Sequence, residues 1–276
     1  MSAAHAAPPD EAPSLLIHLT DMHLLDEPHG VMLGVDTEAS LHAVLRQARH
    51  DHPRADLLLA TGDLAQDGSR GAYRRLRGLL APMGIPVRCL PGNHDDGAGL
   101  RTELGDWTTP VTDVGPAWRV VMLDSTVAGS DAGHLGTAQM ELLEHAVARA
   151  GDRHVLVALH HNPVPVDAGW HDTMMVDNAQ ALFQQLADRP QVRVLLWGHV
   201  HRPFDRRRHN LRLLATPATC FQFAVRDGRH TLDEAAPGYR WIKLYRDGSL
   251  ATGVRRINLA AWHATRVDPT VQTRAA

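Results

Sequence analysis

What the chain has least of narrows its chemistry first. Of its 28 basic residues only Lys243 is lysine, which leaves little room for Schiff-base or P-loop lysine chemistry. The two cysteines, Cys89 and Cys220, have no Cys-x-x-Cys spacing. They read as small buried apolar residues, not as a disulfide framework. No apolar run approaches the roughly 18 residues that a bilayer span needs. The first residues, "MSAAHAAPPDEAP", carry acids and lack the apolar core of a signal peptide. There is no G-x-S-x-G elbow and no Walker A loop. A formal net charge of -3 gives no sign of a nucleic-acid-binding surface. The expectation is a soluble, cytoplasmic protein without nucleic-acid or membrane partners; whether it is a monomer or a homodimer stays open.

What the chain does have is a regular alternation. The runs 15–19, 56–61, 87–90, 119–124, 154–160, 192–197 and 211–215 are short and apolar, as buried strands are. Between them apolar residues recur at helical spacing. Leu41, Val44, Leu45 and Ala48 follow an Asp36/Thr37 cap; Tyr73, Leu76 and Leu80 follow Ser69; Met140, Leu143 and Val147 follow Thr137. Asp177 and Gln180 have the spacing of a capping box for a helix carrying Phe183 and Leu186. Asp247-Gly248 reads as a hairpin turn. The pattern is α/β, a single domain of layered sheets and helices over 14–259, between a disordered lead-in (1–13) and a tail (260–276).

Polar residues follow five of the strands. Thr20-Asp21-Met22-His23, Gly62-Asp63, Pro91-Gly92-Asn93-His94-Asp95, His160-His161-Asn162-Pro163 and Gly198-His199-Val200-His201 each close an apolar run. Ligands of open α/β sheets bind beyond the carboxyl ends of the strands. Any one block is weak evidence, since a strand-end histidine usually bonds a nearby loop and the chain has 19 histidines in 276 residues. The ordered set of five is not expected by chance. Imidazole, carboxylate and amide oxygen suit Fe, Mn or Zn, and no thiolate belongs to the set. Seven donors are too many for one tetrahedral ion. A carboxylate can bridge two ions roughly 3.5–4 Å apart, which lets hydrolysis proceed without a protein nucleophile. His199 and His201, two apart, share a face only if their segment is extended.

The block order D-x-H, G-D, G-N-H-[DE], H and G-H-x-H resembles that of the calcineurin-like metallophosphoesterases. The stretches "LLATGDLAQDGS", "LPGNHD", "LHHNPVP", "LLATPATCFQF" and "TLDEAAPGYR" are similar, more narrowly, to the bacterial class III 3′,5′-cyclic AMP phosphodiesterases, from about Ser14 to Ile257. The resemblance implies a four-layer α/β/β/α metallophosphoesterase sandwich. It implies two divalent or trivalent metal ions (Fe, Mn or Zn) and a cyclic nucleotide substrate, cAMP, opened to 5′-AMP by a hydroxide bridging the ions. Asp21, His23, Asp63 and His201 would hold one ion, and Asp63, Asn93, His160 and His199 the other. His94 and Asn93 would be catalytic, His94 standing at the substrate phosphate, and Asn93, His94 and His23 would bind the substrate.

Some assignments stay open. His161 directly follows His160 and either could be the ligand, the family pattern favouring His160. Asn162 stands where a third histidine is common. Asp95 could orient the His94 ring or cap a loop, and "TPATCF" (216–221) could shape the substrate pocket or simply pack. Substrate preference would lie in loops such as 126–136 and 163–176. Two rival readings are the same chemistry on another phosphodiester, a 2′,3′-cyclic nucleotide or a glycerophosphodiester, and an inactive binding scaffold, which the loss of one or more ligands would signal; none is missing here.

Overall fold

The computed structural model describes residues 12–166, 169, 171–226 and 229–267, and only the backbone of 171, 229 and 230. The lead-in expected over 1–13 lies almost entirely outside these residues. The stretch expected to be a tail opens inside a helix that buries Trp262.

The strands in chain order are β1 (Ser14–Leu19), β2 (Val31–Met32), β3 (Val35–Asp36), β4 (Leu57–Thr61), β5 (Val87–Leu90), β6 (Val111–Val114), β7 (Trp118–Met122), β8 (His154–Ala158), β9 (Val192–Trp197), β10 (Phe204–Arg208), β11 (Leu211–Ala215), β12 (Gln222–Arg226), β13 (Arg229–Asp233), β14 (Gly238–Leu244) and β15 (Leu250–Arg256). The helices are α1 (Thr37–Asp51), α2 (Arg70–Leu80), α3 (Gly97–Leu104), α4 (Thr137–Ala148), α5 (Ala179–Ala187) and α6 (Leu259–Ala264). No helix among the described residues is long and apolar enough to cross a membrane.

Two sheets form the centre, one ordered β15-β14-β1-β4-β5 and the other β10-β11-β9-β8-β7-β6. Alternation along each strand decides what meets what. Leu16 of β1, Leu59 of β4 and Ile242 of β14 face Val120, Leu156, Leu196 and Leu214 of the second sheet. Ile17 and Leu19 turn the other way, onto Leu41 and Val44 of α1 and Leu76 of α2. Val155, Val157 and Leu195 of the second sheet likewise cover Leu143 and Val147 of α4 and Leu182 of α5. The result is the four-layer α/β/β/α sandwich. Each such side chain contributes about 1.5–3 kcal/mol on burial, so the layers hold together without help from the polar groups at their edge.

β1, β4 and β5 are mutually parallel, as are β7, β8, β9 and β11. Parallel pairing brings the blocks that follow β1, β4, β5, β8 and β9 to one edge. Local signals hold elsewhere. Asp36 caps α1 by accepting from Ala39 N at 2.8 Å, and Gly248 (φ 81°) turns β14 into β15. Other caps differ from expectation. Ser69 stands at the N-cap of α2 but makes no side-chain cap bond, and the N-cap of α4 is Gly136, not Thr137. The N-cap of α5 is Asn178, and no side chain caps it; Asp177 instead accepts from His134 Nδ1 at 2.6 Å, and Asn178 bonds the backbone of Leu135. Asp177 and its neighbour Asn178 are drawn into contacts with the 134–135 segment.

Candidate metal centre

The turns that leave the strands are unusual in their backbone. Asp21, His23, Asp63, His199 and His201 all have φ between 48° and 66°, the left-handed region that L-residues avoid. Each such residue costs of order 1–3 kcal/mol and persists only where its surroundings hold it. Here Asp21 N donates to Gly62 O (3.1 Å) and His23 N to Asp63 O (2.9 Å), which ties the first two blocks side by side. Gly198 must be glycine, because a Cβ there would collide with Thr20 Oγ1 and come within 3.0 Å of Asp21 Oδ2.

One donor atom each from Asp21, His23, Asp63 and His201 lies within 4.8 Å of the others, and all four residues are buried. His23 Nε2 is 3.6 Å from Asp63 Oδ2 and His201 Nε2 is 3.6 Å from Asp21 Oδ1. On the other side of Asp63, His160 Nε2 is 3.4 Å from Asp63 Oδ1 and 3.1 Å from Asn93 Oδ1. His199 stands here too, since His160, His161 and His199 each bring a nitrogen within 4.8 Å of the others. His161 places its Nδ1 on Ser125 Oγ at 2.8 Å, away from the carboxylates.

The tautomers show what this set can hold. His23 Nδ1 meets Gln66 Oε1 (2.7 Å), His201 Nδ1 meets Phe221 O (2.8 Å) and His160 Nδ1 meets Thr61 O (2.9 Å). These oxygens only accept, so each neutral ring carries its proton on Nδ1 and turns a lone pair on Nε2 inward. The Nε2 atoms of His23 and His201 are 3.2 Å apart and cannot satisfy one another in that state. Lone pairs and carboxylates therefore face a common space that a cation fits, with the backing of each imidazole that metal sites use.

The charges agree. Burial pushes Asp21 up to about 7; His160 opposes this and Asp63 adds to it. Asp63 is held well below the usual carboxylate range, its burial outweighed by His160, His23 and His94. Burial takes His23 down to about 4 against the pull of Asp63. Burial also disfavours a charged His160, yet Asp63 and Asp21 overcome it and push it up to about 9. Two carboxylates this deep demand positive charge beside them.

His94 sits at the edge of the centre, its backbone N donating to Asp63 Oδ1 (3.0 Å) and its ring edge-on to His23 at 5.1 Å. Its orientation comes from Gln66, whose Nε2 and backbone O lie 3.3 and 3.1 Å from His94 Nδ1. Gln66 thus holds both His23 and His94, a role the sequence reading missed although the residue follows Asp63 by three. Asp95 is a loop clamp: its carboxylate accepts from Leu64 N, Ala65 N, Gly92 N and Tyr73 Oη, and none of these contacts is with His94. Asn162 turns into its own loop, donating to Val164 O (3.0 Å). Cys220 is buried, as expected. Its Sγ lies within 4.8 Å of His23 and His201 nitrogens, but burial pushes the thiol up and it donates to Asp21 O.

A cavity of roughly 260 Å³ opens onto these groups, lined by His23, Asp63, Asn93, His94, His199 and His201 together with Met32, Met174, Phe221 and Phe223; Phe221 stacks on His23 and His201, with ring centroids 5.5 and 5.1 Å apart. Asp131 and Met174 come from the two loops expected to set substrate preference, and Phe221 from the "TPATCF" block. A larger groove of about 670 Å³ runs between α5 and the β10–β11 turn, but its lining contains no carboxylate.

A family model for calcineurin-like phosphoesterases matches residues 15–203. The chain belongs to that family. Among curated proteins, this phosphoesterase is 47% identical over 260 residues to a 3′,5′-cyclic adenosine monophosphate phosphodiesterase, CpdA, of Pseudomonas aeruginosa, covering 94% of this chain and 95% of that protein. It is 41% identical over 250 residues to CpdA of Escherichia coli (strain K12), covering 90% and 91%. Among solved structures, a dimetal phosphatase from Danio rerio superposes with a TM-score of 0.60 at 14% identity, over 89% of this phosphoesterase and all of that chain. A purple acid phosphatase from yellow lupin seeds gives 0.63 at 15%, over 95% and 54%. At those identities the structural likeness concerns the fold alone.

Proposed function

We propose that the chain hydrolyses 3′,5′-cyclic AMP to 5′-AMP with two metal ions. Asp21, His23, Asp63 and His201 would hold one ion; Asp63, Asn93, His160 and His199 would hold the other, with Asp63 shared. The observation that carries the reading is the convergence of three Nε2 atoms, each backed by a bonded Nδ1, on two buried carboxylates. His160 takes the ligand role over His161 because its Nε2 is the one 3.4 Å from Asp63. Bound there, the ions supply Lewis acidity on the phosphoryl oxygens and water activated at neutral pH. Fe, Mn and Zn all suit these donors.

The chain's own residues do the rest. Asn93, His94 and His23 line the cavity and would meet the phosphate. Opening the ring breaks the P–O3′ bond, and the 3′ oxygen needs a proton. His94 is placed to give it, with Gln66 fixing the ring that must point at the leaving oxygen. Met32, Met174, Phe221 and Phe223 offer the apolar and aromatic faces on which a purine packs. The names of the relatives support cAMP over other phosphodiesters, and the sequence keeps all seven donor residues, which argues against an inactive scaffold.

The test is a hydrolysis panel on metal-analysed protein: 3′,5′-cAMP, 3′,5′-cGMP, 2′,3′-cAMP and an aryl phosphodiester, each with Asp63→Ala alongside. Turnover of 3′,5′-cAMP, lost with at least one metal in the variant, is expected. Activity on only the last two substrates would move the assignment to another phosphodiester. A normal rate with both metals retained in Asp63→Ala would end the two-metal reading.

A further inference from the structure

The polar edge of the molecule extends one layer deeper than the centre itself. His18 of β1 is wholly buried on the face that β1 turns towards the second sheet, where Leu16 two residues earlier is part of the apolar inter-sheet core. Both of its ring nitrogens are engaged. Nε2 lies 2.6 Å from Thr61 Oγ1, at the end of β4 in the same sheet, and Nδ1 lies 2.5 Å from Thr216 Oγ1, just past β11 in the other. Its cross-strand partner Arg240 reaches over in parallel and donates to Ala215 O at 2.7 Å.

We infer that His18 is a positioning residue for the metal centre: it pins Thr61, whose carbonyl fixes the His160 ring, against the sheet that delivers His160, His199 and His201. Thr61 O accepts from His160 Nδ1 (2.9 Å) and from Thr20 Oγ1 (3.0 Å), and Thr61 is followed by Gly62 and Asp63. Thr216 N, at the far end of the bridge, donates to Trp197 O, next to Gly198 and His199. The imidazole is therefore a spacer of fixed length between the two strand ends that face one another under the donors. A neutral ring has one donor and one acceptor, which two hydroxyls match. Burial and the Arg240 guanidinium both hold His18 neutral. A polar group this deep, satisfied at both ends, specifies geometry more than it adds net stability. The role rests on the two-metal reading above.

The test is calorimetric titration of metal-free protein with Mn²⁺, alongside thermal unfolding of the same samples, for the wild type, His18→Leu, His18→Gln and Thr61→Val. The wild type is expected to bind in two steps. In His18→Leu one step, that of the ion held by His160, weakens by about 10- to 100-fold, the range seen when a ligand's backing is removed. The other step stays within about threefold, and His18→Gln, which can still donate and accept, restores most of the loss. If His18→Leu does not fold, Thr61→Val keeps the side-chain shape, lacks only the hydroxyl, and carries the same expectation. Two unchanged steps, or two equally weakened steps accompanied by a lower unfolding temperature, would reduce His18 to packing and overturn the inference. Wild-type protein that takes up no Mn²⁺ would instead overturn the two-metal reading and the inference with it.

Discussion

Asp21 accepts from the backbone N–H of His199 through both carboxylate oxygens, at 3.0 and 3.1 Å. The first block of the sequence thus holds the last one in place while also facing His201. A carboxylate with two duties can be dissected. Asp21→Asn keeps an oxygen for His199 N and loses the charge, so the ion shared with His23 and His201 should weaken alone. Asp21→Ala removes both functions and should weaken the two ions together. Metal stoichiometry by mass spectrometry after dialysis separates the cases; equal losses in both variants would mean that the backbone contact is idle.

The two histidines of "GHVH" should likewise be separable. His201 faces Asp21, whereas His199 packs beside His160 at 5.1 Å between ring centroids. His201→Ala and His199→Ala are each expected to retain about one ion per chain, and the double variant none. Spectroscopy of a Co²⁺-substituted protein would tell which ion each single variant keeps. The same residual spectrum from both would contradict the division.

Among the described residues, the ring of His94 meets Gln66 and His23 and bonds no carboxylate, so it should matter for rate and not for metal. His94→Ala is expected to keep both ions and lose about 10²- to 10⁴-fold in kcat, the usual worth of a positioned proton donor. Gln66→Leu should fall between the two, with a smaller rate loss and some loss of the ion beside His23. Parallel metal analysis and steady-state kinetics decide it: metal loss in His94→Ala would make that residue a ligand.

Away from the centre, Asp51 at the end of α1 accepts from Gln47 Nε2 (2.9 Å) and Tyr239 Oη (2.8 Å). Burial works against its charge, but these two bonds, with Arg255 and His52 nearby, together outweigh it and hold Asp51 below the usual carboxylate range. A folded pKa below the unfolded one adds stability above the unfolded value of about 3.9, and that stability is lost as pH falls through the folded value. Asp51→Asn should therefore cost about 1 kcal/mol or less at pH 7, since the group is largely solvated. Urea unfolding at pH 7, 5 and 3.5 should show the same gap at the first two and a closing gap at the third.

The sequence made the chemistry more legible than its support. Five apolar runs followed by Asp, His or Asn were enough to point to seven candidate donors at the strand ends of the two sheets, because the strand period of two is local and repetitive. β10 escaped notice: "FDRRR" is an exposed edge strand with no apolar alternation, and its pairing with β11 is a matter of backbone bonds. Gln66 and His18 act through contacts 28 to 198 residues away in sequence, which no window can see. The failed cap on α5 has the same origin, a tertiary partner outbidding a local one.

The left-handed turns at Asp21, His23, Asp63, His199 and His201 also restrict how this centre can change over evolutionary time. Among non-glycine residues, that backbone region admits asparagine, aspartate and histidine far more readily than branched or bulky ones. Those three are also hard or borderline ligands for metal ions. The loops consequently filter substitutions before chemistry does: a position can drift between carboxylate, amide and imidazole, and so retune which metal it prefers, without refolding. Glycine is the one other easy exit. It would relax the chain as it removed a ligand, so the centre can be retuned in small steps but, once dismantled, has little conformational pressure to return.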